Sequence, residues 1–80
     1  MSYWTIRLSE VLREKGLVDA EIVVASRAAR GLSNKEIVNN IGFGFTEARV
    51  KELITSGRKK LGLKSRAQLI VYCLPYIPYT

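Results

Sequence analysis

The chain has 80 residues, with 13 lysines and arginines against 7 acids, one cysteine and no histidine. This length predicts a single domain over residues 1–80, without room for a second catalytic or sensory domain. A single cysteine cannot form an internal disulfide. Without histidine, the chain has neither the ligands of an ordinary zinc site nor the base of a Ser-His or Cys-His nucleophile. We therefore expect neither an enzyme nor a cofactor or metal.

The positive charge is concentrated in one stretch of the sequence. Residues 1–48 contain six basic and six acidic side chains, whereas residues 49–66 contain seven bases and one acid, Glu52. A concentrated positive field attracts polyanions, and phosphate backbones are the commonest such partner. The alternative interpretation is a helical bundle whose basic stripe is only solvated surface.

The two ends of the sequence bear on location. Charged residues occur too early for a signal-peptide apolar region. The uncharged stretch 67–80 is too short to cross a bilayer and contains Pro75 and Pro78. We expect a cytoplasmic protein with no membrane partner, in which Cys73 is a small buried hydrophobic residue rather than a reactive thiol.

Two helices are predicted in the first part of the chain. The first covers about residues 3–15 and ends at Gly16, with an apolar stripe of Trp4, Leu8, Val11 and Leu12. The second runs from Asp19, which we expect to cap its free amides, to Gly31. Its buried face would contain Ile22 and three alanines that permit close helix approach, Ala25, Ala28 and Ala29.

Two more helices are predicted on either side of a glycine-containing turn. Ser33 and Glu36 fit a capping box, and Leu32 and Ile37 occupy the positions of a hydrophobic staple. After the turn at residues 42–45, Thr46 is expected to cap a longer basic helix over about residues 46–61. The buried line of that helix would be formed by Val50, Ile54 or Leu53, and Leu61.

A fifth helix is predicted after Ser65, which repeats the capping-box pattern with Gln68. Its apolar face consists of Ala67, Ile70, Val71 and Leu74, and Pro75 ends it. The sequence therefore predicts an all-α bundle of five short helices without a convincing strand. A short capped helix, a glycine-containing turn and a longer basic helix meet the requirements of a helix-turn-helix, because the first helix braces the second in the major groove.

Two blocks of residues resemble the LuxR/GerE-type helix-turn-helix DNA-binding domain. One is Gly31-Leu32-Ser33-Asn34-Lys35-Glu36-Ile37, and the other is Val50-Lys51 with Lys60-Leu61-Gly62-Leu63-Lys64-Ser65-Arg66-Ala67-Gln68. The similarity spans about residues 17–74, with Glu21 at the family's usual acidic position. The resemblance implies four helices in this region, after an added helix at residues 1–16 and before an apolar tail at residues 75–80.

The resemblance also implies a function and a set of site residues. It implies a transcription regulator that reads double-stranded DNA sequence-specifically and binds as a homodimer, with helix 46–61 in the major groove. The implied base-reading residues are Lys51, Glu52 and Thr55. The implied phosphate contacts are Arg49, Arg58, Lys59, Lys64 and Arg66, with Ser33, Asn34 and Lys35 from the bracing helix. The implied dimer contact is formed by the last helix through Ala67, Ile70, Val71 and Leu74.

Several of these residues have a simpler alternative role. Glu52 would then pair with Lys51 or Arg49, or discourage nonspecific binding, and Lys59 and Lys60 would only improve solubility. Ser33 and Ser65 are expected to act mainly as helix caps, although a cap can also bind phosphate.

The sequence departs from the family pattern at four places. The turn is two residues longer than usual, Leu53 stands where histidine is common, and Val18 replaces the capping threonine. Gly57 stands where a larger apolar residue packs, which indicates either a close helix contact or a bend.

The altered turn and Gly57 support a second hypothesis, an interaction module of the same fold that binds another regulator or RNA polymerase. In that hypothesis the tail presents an exposed apolar surface for a partner protein, formed by Tyr76, Ile77 and Tyr79. The alternative for the tail is that it folds back over Trp4 and Leu8.

Overall fold

The structure, a computed structural model, describes residues 7–42 and 44–79, with side chains up to Tyr76. Over these residues the chain is all-α, as the sequence predicts: it has five α-helices, a short 3-10 helix and no strand. The elements are α1 (Leu8–Glu14), α2 (Asp19–Ala29), α3 (Asn34–Ile41), α4 (Glu47–Leu61), α5 (Arg66–Cys73) and the 3-10 helix Leu74–Tyr79.

The central element is α2, which packs against each of the other helices and most extensively against α4. Its buried face contains Ile22, Ala25, Ala28 and Ala29, the residues that the sequence predicts for this face. Alanine side chains let neighbouring backbones approach closely, so α2 can be surrounded on several sides. The orientation of α4 is therefore determined largely by its contact with α2.

The first helix is an integral part of the core. Leu8 and Leu12 of α1 are fully buried, and the helix ends at a turn in which Gly16 has a φ of +92°. The helix begins at Leu8, after an extended Arg7, which is later than the predicted start near residue 3. Trp4 lies outside the described residues. The 3-10 helix packs against α1 and α2, so the chain after α5 folds back toward the amino-terminal helix.

The start of α2 differs from the prediction. Asp19 is the first helical residue, and Val18 occupies the position where a capping side chain would stand. Asp19 cannot cap from inside the helix, and its carboxylate instead accepts a hydrogen bond from Arg13 at 2.9 Å. The free amide of Val18 donates to Glu21 Oε1 at 2.8 Å, so Glu21 satisfies the helix start.

The predicted caps of α3 and α4 are confirmed. Ser33 Oγ accepts from the Glu36 amide at 3.2 Å, and Glu36 Oε1 accepts from the Ser33 amide at 2.8 Å. These bonds hold the pKa of Glu36 below its ordinary value of 4.5. Thr46 Oγ1 accepts from the Arg49 amide at 3.1 Å. The turn between the two helices contains Gly42 and Gly44, both with positive φ, which L side chains rarely adopt.

The buried side of α4 explains its glycine. Val50, Leu53 and Ile54 are all buried. The sequence left open whether Leu53 or Ile54 belongs to the buried line, and both do. Gly57 is buried on the same side, and a Cβ there would lie 3.3 Å from Leu17 Cδ2. The glycine therefore permits a close approach of α4 to Leu17.

In α5 the core is formed by residues other than those predicted. Leu69 and Cys73 are fully buried, whereas Val71 is 65% exposed and Leu74 is 52% exposed. Ser65 caps the helix through the Gln68 amide at 3.1 Å, but Gln68 Oε1 accepts from the Lys64 amide rather than closing a capping box. Cys73 is buried as expected, and burial raises the pKa of its thiol to about 11.

None of the helices within the described ranges combines the length and apolar character needed to cross a membrane.

Candidate nucleic-acid interface

The surface of α4 opposite α2 and α3 faces solvent. The helix has 15 residues, so it is about 22 Å long. Along this surface Lys51, Glu52 and Lys59 are exposed and Thr55 is half-buried. The base-reading residues implied by the resemblance, Lys51, Glu52 and Thr55, therefore lie on one accessible side of the helix, because Thr55 follows Lys51 by four residues and Glu52 by three.

A groove beside α4 brings together predicted site residues from three helices and the connection between α4 and α5. Its lining includes Lys51, Thr55 and Arg58 of α4 and Asn34 of α3. Lys64 and Ser65 of the connection and Arg66 of α5 also line the groove, together with Ile54 of α4. Two of the predicted base-reading residues are thus adjacent to four of the predicted phosphate contacts.

The remaining predicted site residues are arranged around this groove. Glu52 and Lys59 share a second concavity with Lys51 and Thr55, and Ser56 and Lys60 line it as well. Ser33 and Lys35 line a third concavity with Asn34 and Arg66 at the amino terminus of α3. Arg49 is exposed and pairs with Glu52 at 3.4 Å, an interaction that the sequence left open as an alternative role for Glu52.

Two of the predicted phosphate contacts bind each other. Arg66 donates through Nη1 to Asn34 Oδ1 and through Nη2 to the Leu32 carbonyl oxygen at 2.6 Å. Both groups lie at the start of α3, and Arg66 is half-buried. The arginine therefore ties the start of α5 to the bracing helix, a role that the sequence pattern did not reveal.

A buried acid connects α2 to the far half of α4. Glu21 is only 3% exposed, and its carboxylate accepts hydrogen bonds from Lys60 Nζ at 2.8 Å, from Ser56 Oγ and from the Val18 amide. Burial by itself would raise the pKa of Glu21, but these hydrogen bonds and the charge of Lys60 outweigh it and lower the pKa below 4.5. We call Glu21, Ser56 and Lys60 the Glu21 cluster.

Sequence reasoning placed Glu21 at a family position but missed its partners. Ser56 and Lys60 are four residues apart and so share one side of α4, which was the available signal. Nothing local pairs them with an acid 35 or 39 residues earlier. That pairing depends on how α4 packs against α2.

The predicted dimer residues are divided between two surfaces. Ala67 and Val71 line a groove with Leu63, Lys64 and Tyr72. Leu74 is exposed and follows Val71 by three residues, at the start of the 3-10 helix. Ile70 instead lies in the concavity at the start of α3. We call Ala67, Val71 and Leu74 the α5 patch.

The sequence matches no family model, and neither a curated protein nor a solved structure matches it. Within the part of the chain that the structure describes, His, Cys, Asp and Glu side chains form no group of three or more that could hold a metal ion.

Proposed function

We propose that this chain is a transcription regulator that binds double-stranded DNA sequence-specifically and inserts α4 into the major groove. The observation that carries the proposal is the groove in which Lys51 and Thr55 of α4 stand beside Arg58, Lys64 and the start of α3. A major groove about 12 Å wide admits an α-helix, and side chains on the outer surface of that helix reach base edges. Groups on either side then contact the two phosphate backbones.

The distribution of free cations supports this proposal. Seven of the 13 bases lie in residues 49–66. Four of these seven, Lys51, Arg58, Lys59 and Lys64, make no ion pair with the described part of the chain, whereas Arg49 and Lys60 each pair with an acid. Cations without internal partners can replace counterions on a phosphate backbone at little cost.

Each base-reading residue has a chemistry that suits a particular base. Lys51 can donate to the guanine acceptors, Thr55 can place its methyl group against thymine, and Glu52 can accept from the cytosine amino group. Glu52 would have to leave Arg49 to do so, and the 3.4 Å pair is exposed and weak. Arg58, Lys59 and Lys64 would hold phosphates, with Ser33 and Lys35 contributing from the start of α3.

We also propose that the active form is a homodimer in the cytoplasm, which contacts paired half-sites through two copies of α4. The α5 patch is uncharged, and its two larger side chains, Val71 and Leu74, are more than half exposed. Apolar side chains exposed on the same side of a helix favour association with another surface. Two-fold pairing of α5 would present two reading helices to one DNA site.

The test is direct binding to duplex DNA across a salt series. For a protein with several phosphate contacts, we expect affinity to fall steeply as salt rises, and we expect protection of a defined site in a randomised DNA pool. No binding at low salt would contradict the proposal. Binding without a selected site would leave only a nonspecific DNA-binding protein.

Two lysine substitutions distinguish base reading from phosphate anchoring. Lys51→Ala is expected to relax sequence preference at one position, at a cost of about 1–3 kcal/mol for the selected duplex. Lys59→Ala is expected to weaken selected and random duplexes alike and to reduce the salt slope by about 1. The assignment of Lys51 is wrong if both substitutions weaken the two duplexes equally.

The α5 patch also favours a second candidate function, an interaction module that binds another regulator or RNA polymerase. An apolar surface that is not used for self-association is available to a different protein. This candidate predicts a monomeric chain, no binding to duplex DNA, and an unchanged partner complex after Lys51→Ala. Its partner complex would instead be lost after Val71→Glu.

A further inference from the structure

Ser56 and Lys60 of the Glu21 cluster line the same concavity as Lys51 and Thr55. The cluster therefore adjoins the proposed reading side of α4 and acts directly on that helix. Glu21 is 3% exposed and Lys60 is its only ion-pair partner among the described residues. A buried carboxylate is strongly unfavourable unless it is paired and hydrogen-bonded. The bonds from Lys60, Ser56 and the Val18 amide therefore restrict α4 to an arrangement in which Ser56 and Lys60 face α2.

This restriction determines which residues of α4 face outward. Adjacent helical residues differ by about 100° around the axis, so a helix with Ser56 and Lys60 turned toward α2 presents Lys51 and Thr55 on the neighbouring side. The close contact of Gly57 with Leu17 lies next to Ser56 on the same half of the helix. Apolar contacts tolerate small rotations, whereas hydrogen bonds to a buried carboxylate depend on distance and angle.

The same bonds occupy Lys60. Its ammonium group lies 2.8 Å from Glu21 Oε1. The adjacent Lys59 is exposed, as Lys60 is, but makes no ion pair with the described part of the chain. The ammonium group of Lys59 is therefore available to a DNA phosphate, whereas that of Lys60 is already paired with Glu21.

We propose that Glu21 is a positioning residue for DNA recognition, which sets the rotation of α4 through Ser56 and Lys60 and keeps Lys60 away from DNA phosphates. This inference rests on the proposed function of α4. It adds a residue that touches no DNA and yet determines sequence discrimination.

The first experiment needs no DNA. An amine-reactive acylating reagent, applied at low excess and followed by mass spectrometry, compares the labelling rates of Lys59 and Lys60 in the folded chain. We expect Lys60 to react severalfold more slowly than Lys59, and we expect the difference to disappear in Glu21→Gln. Equal rates in the parent chain would overturn the claim that Glu21 occupies Lys60.

The second experiment compares salt slopes for Lys59→Gln and Lys60→Gln on the same duplex, selected from a randomised pool by the parent chain. Each phosphate contact contributes about 0.9 to the slope. We expect Lys59→Gln to lower the slope by about that amount and Lys60→Gln to leave it unchanged, because the glutamine amide can still donate to Glu21. An equal loss for both would overturn the exclusion of Lys60 from the phosphates.

The third experiment measures discrimination between the selected duplex and a scrambled duplex of equal length. Glu21→Gln removes an acid and frees Lys60, so a purely electrostatic effect would strengthen binding to both. We expect affinity for the scrambled duplex to hold or rise and the ratio of the two affinities to fall. A core change in α1, Leu8→Val, controls for lost stability, and we expect it to leave the ratio unchanged.

The outcomes separate this role from the proposed function. If the parent binds no duplex at low salt, the proposed function is wrong and this role fails with it. If the parent discriminates and folded Glu21→Gln discriminates equally well, only the role of Glu21 is wrong. Should circular dichroism show that Glu21→Gln is unfolded, Ser56→Ala removes one bond of the cluster, and its unchanged discrimination would overturn the proposal equally.

Discussion

Gly57 is a residue at which α4 closely approaches Leu17, in the segment before α2. A glycine inside a helix costs about 1 kcal/mol relative to alanine. That cost has a reason here, because a Cβ at this position would lie 3.3 Å from Leu17 Cδ2. The contact places the middle of α4 against the core beside the Glu21 cluster, so a side chain at this residue would displace the proposed reading helix.

A larger side chain at Gly57 should therefore destabilise the fold. We expect Gly57→Leu to lower the free energy of unfolding by about 1–3 kcal/mol through overpacking, as measured by denaturant titration. Lys59→Leu places the same side chain on the exposed side of the same helix and should change stability by less than about 0.5 kcal/mol. Equal effects of the two substitutions would show that the contact with Leu17 is not limiting.

The carboxyl of Glu21 makes stability depend on acid pH. Its pKa in the folded chain lies below the ordinary 4.5, despite burial, because Lys60, Ser56 and the Val18 amide bind the carboxylate. A lowered pKa contributes stability that is present above pH 4.5 and lost as pH falls through the folded-state value. We expect Glu21→Gln to be less stable than the parent at neutral pH and to lose less stability between pH 5 and 3.

Denaturant titrations at several pH values measure this difference. The pKa of Glu36 is also lowered, so its contribution to stability is likewise lost at acid pH. Glu36 is unchanged in the variant, and some acid sensitivity should therefore remain. Parallel curves for the parent and Glu21→Gln would contradict the role assigned to the Glu21 carboxylate.

At the scale of the elements, side-chain caps begin the three carboxyl-terminal helices. Ser33, Thr46 and Ser65 each accept a hydrogen bond from the backbone amide three residues later. Each oxygen satisfies an amide that has no partner within its own helix. These are also the helices that border the proposed DNA interface, so the caps determine where its three elements begin.

Removing the cap of α3 should destabilise the fold by a predictable amount. We expect Ser33→Ala to lower the free energy of unfolding by about 1 kcal/mol, measured by denaturant titration. Ser33→Asp keeps an oxygen acceptor at the same position and should be much less destabilising. If alanine and aspartate are equally destabilising, the hydrogen bond to the Glu36 amide is not the source of the stability.

At the scale of the whole molecule, the apolar α5 patch adjoins the charged surface at Lys64, which lines both the groove of the patch and the groove beside α4. The free cations border α4, whereas the α5 patch contains Ala67, Val71 and Leu74 and no charge. Two copies could therefore associate through α5 without covering Lys51 or Thr55. A DNA-binding homodimer requires that the reading side remain accessible while the dimer contact is buried.

The oligomeric state of the parent and of Val71→Glu tests the α5 patch. We expect sedimentation to find a dimer for the parent and a monomer for Val71→Glu, because a charge buried in an apolar interface is strongly unfavourable. Asn39→Glu adds the same charge on the exposed side of α3 and should leave the dimer intact. A monomeric parent would remove the homodimer from the proposal.

Local signals predicted much of the fold of the whole molecule. The periodic apolar positions, the caps at Ser33 and Thr46 and the glycines after α1 and α3 act within three or four residues, so they can be identified directly in the sequence. They correctly predicted five helices and the bounds of α4. Asp19 was wrongly predicted as the cap of α2. Val18 stands at the cap position instead, and its amide donates a hydrogen bond to the Glu21 side chain.

The basic stretch at residues 49–66 and the helical positions of Lys51, Glu52 and Thr55 were determined by the sequence alone. Only the tertiary structure decided which cations are free and which side of α5 is buried. Glu21 meets Ser56 and Lys60, and Arg66 meets Asn34, across separations of more than 30 residues. Such pairs form only when the helices have packed together. The burial that makes these hydrogen bonds favourable is a property of the assembled core, not of any single segment.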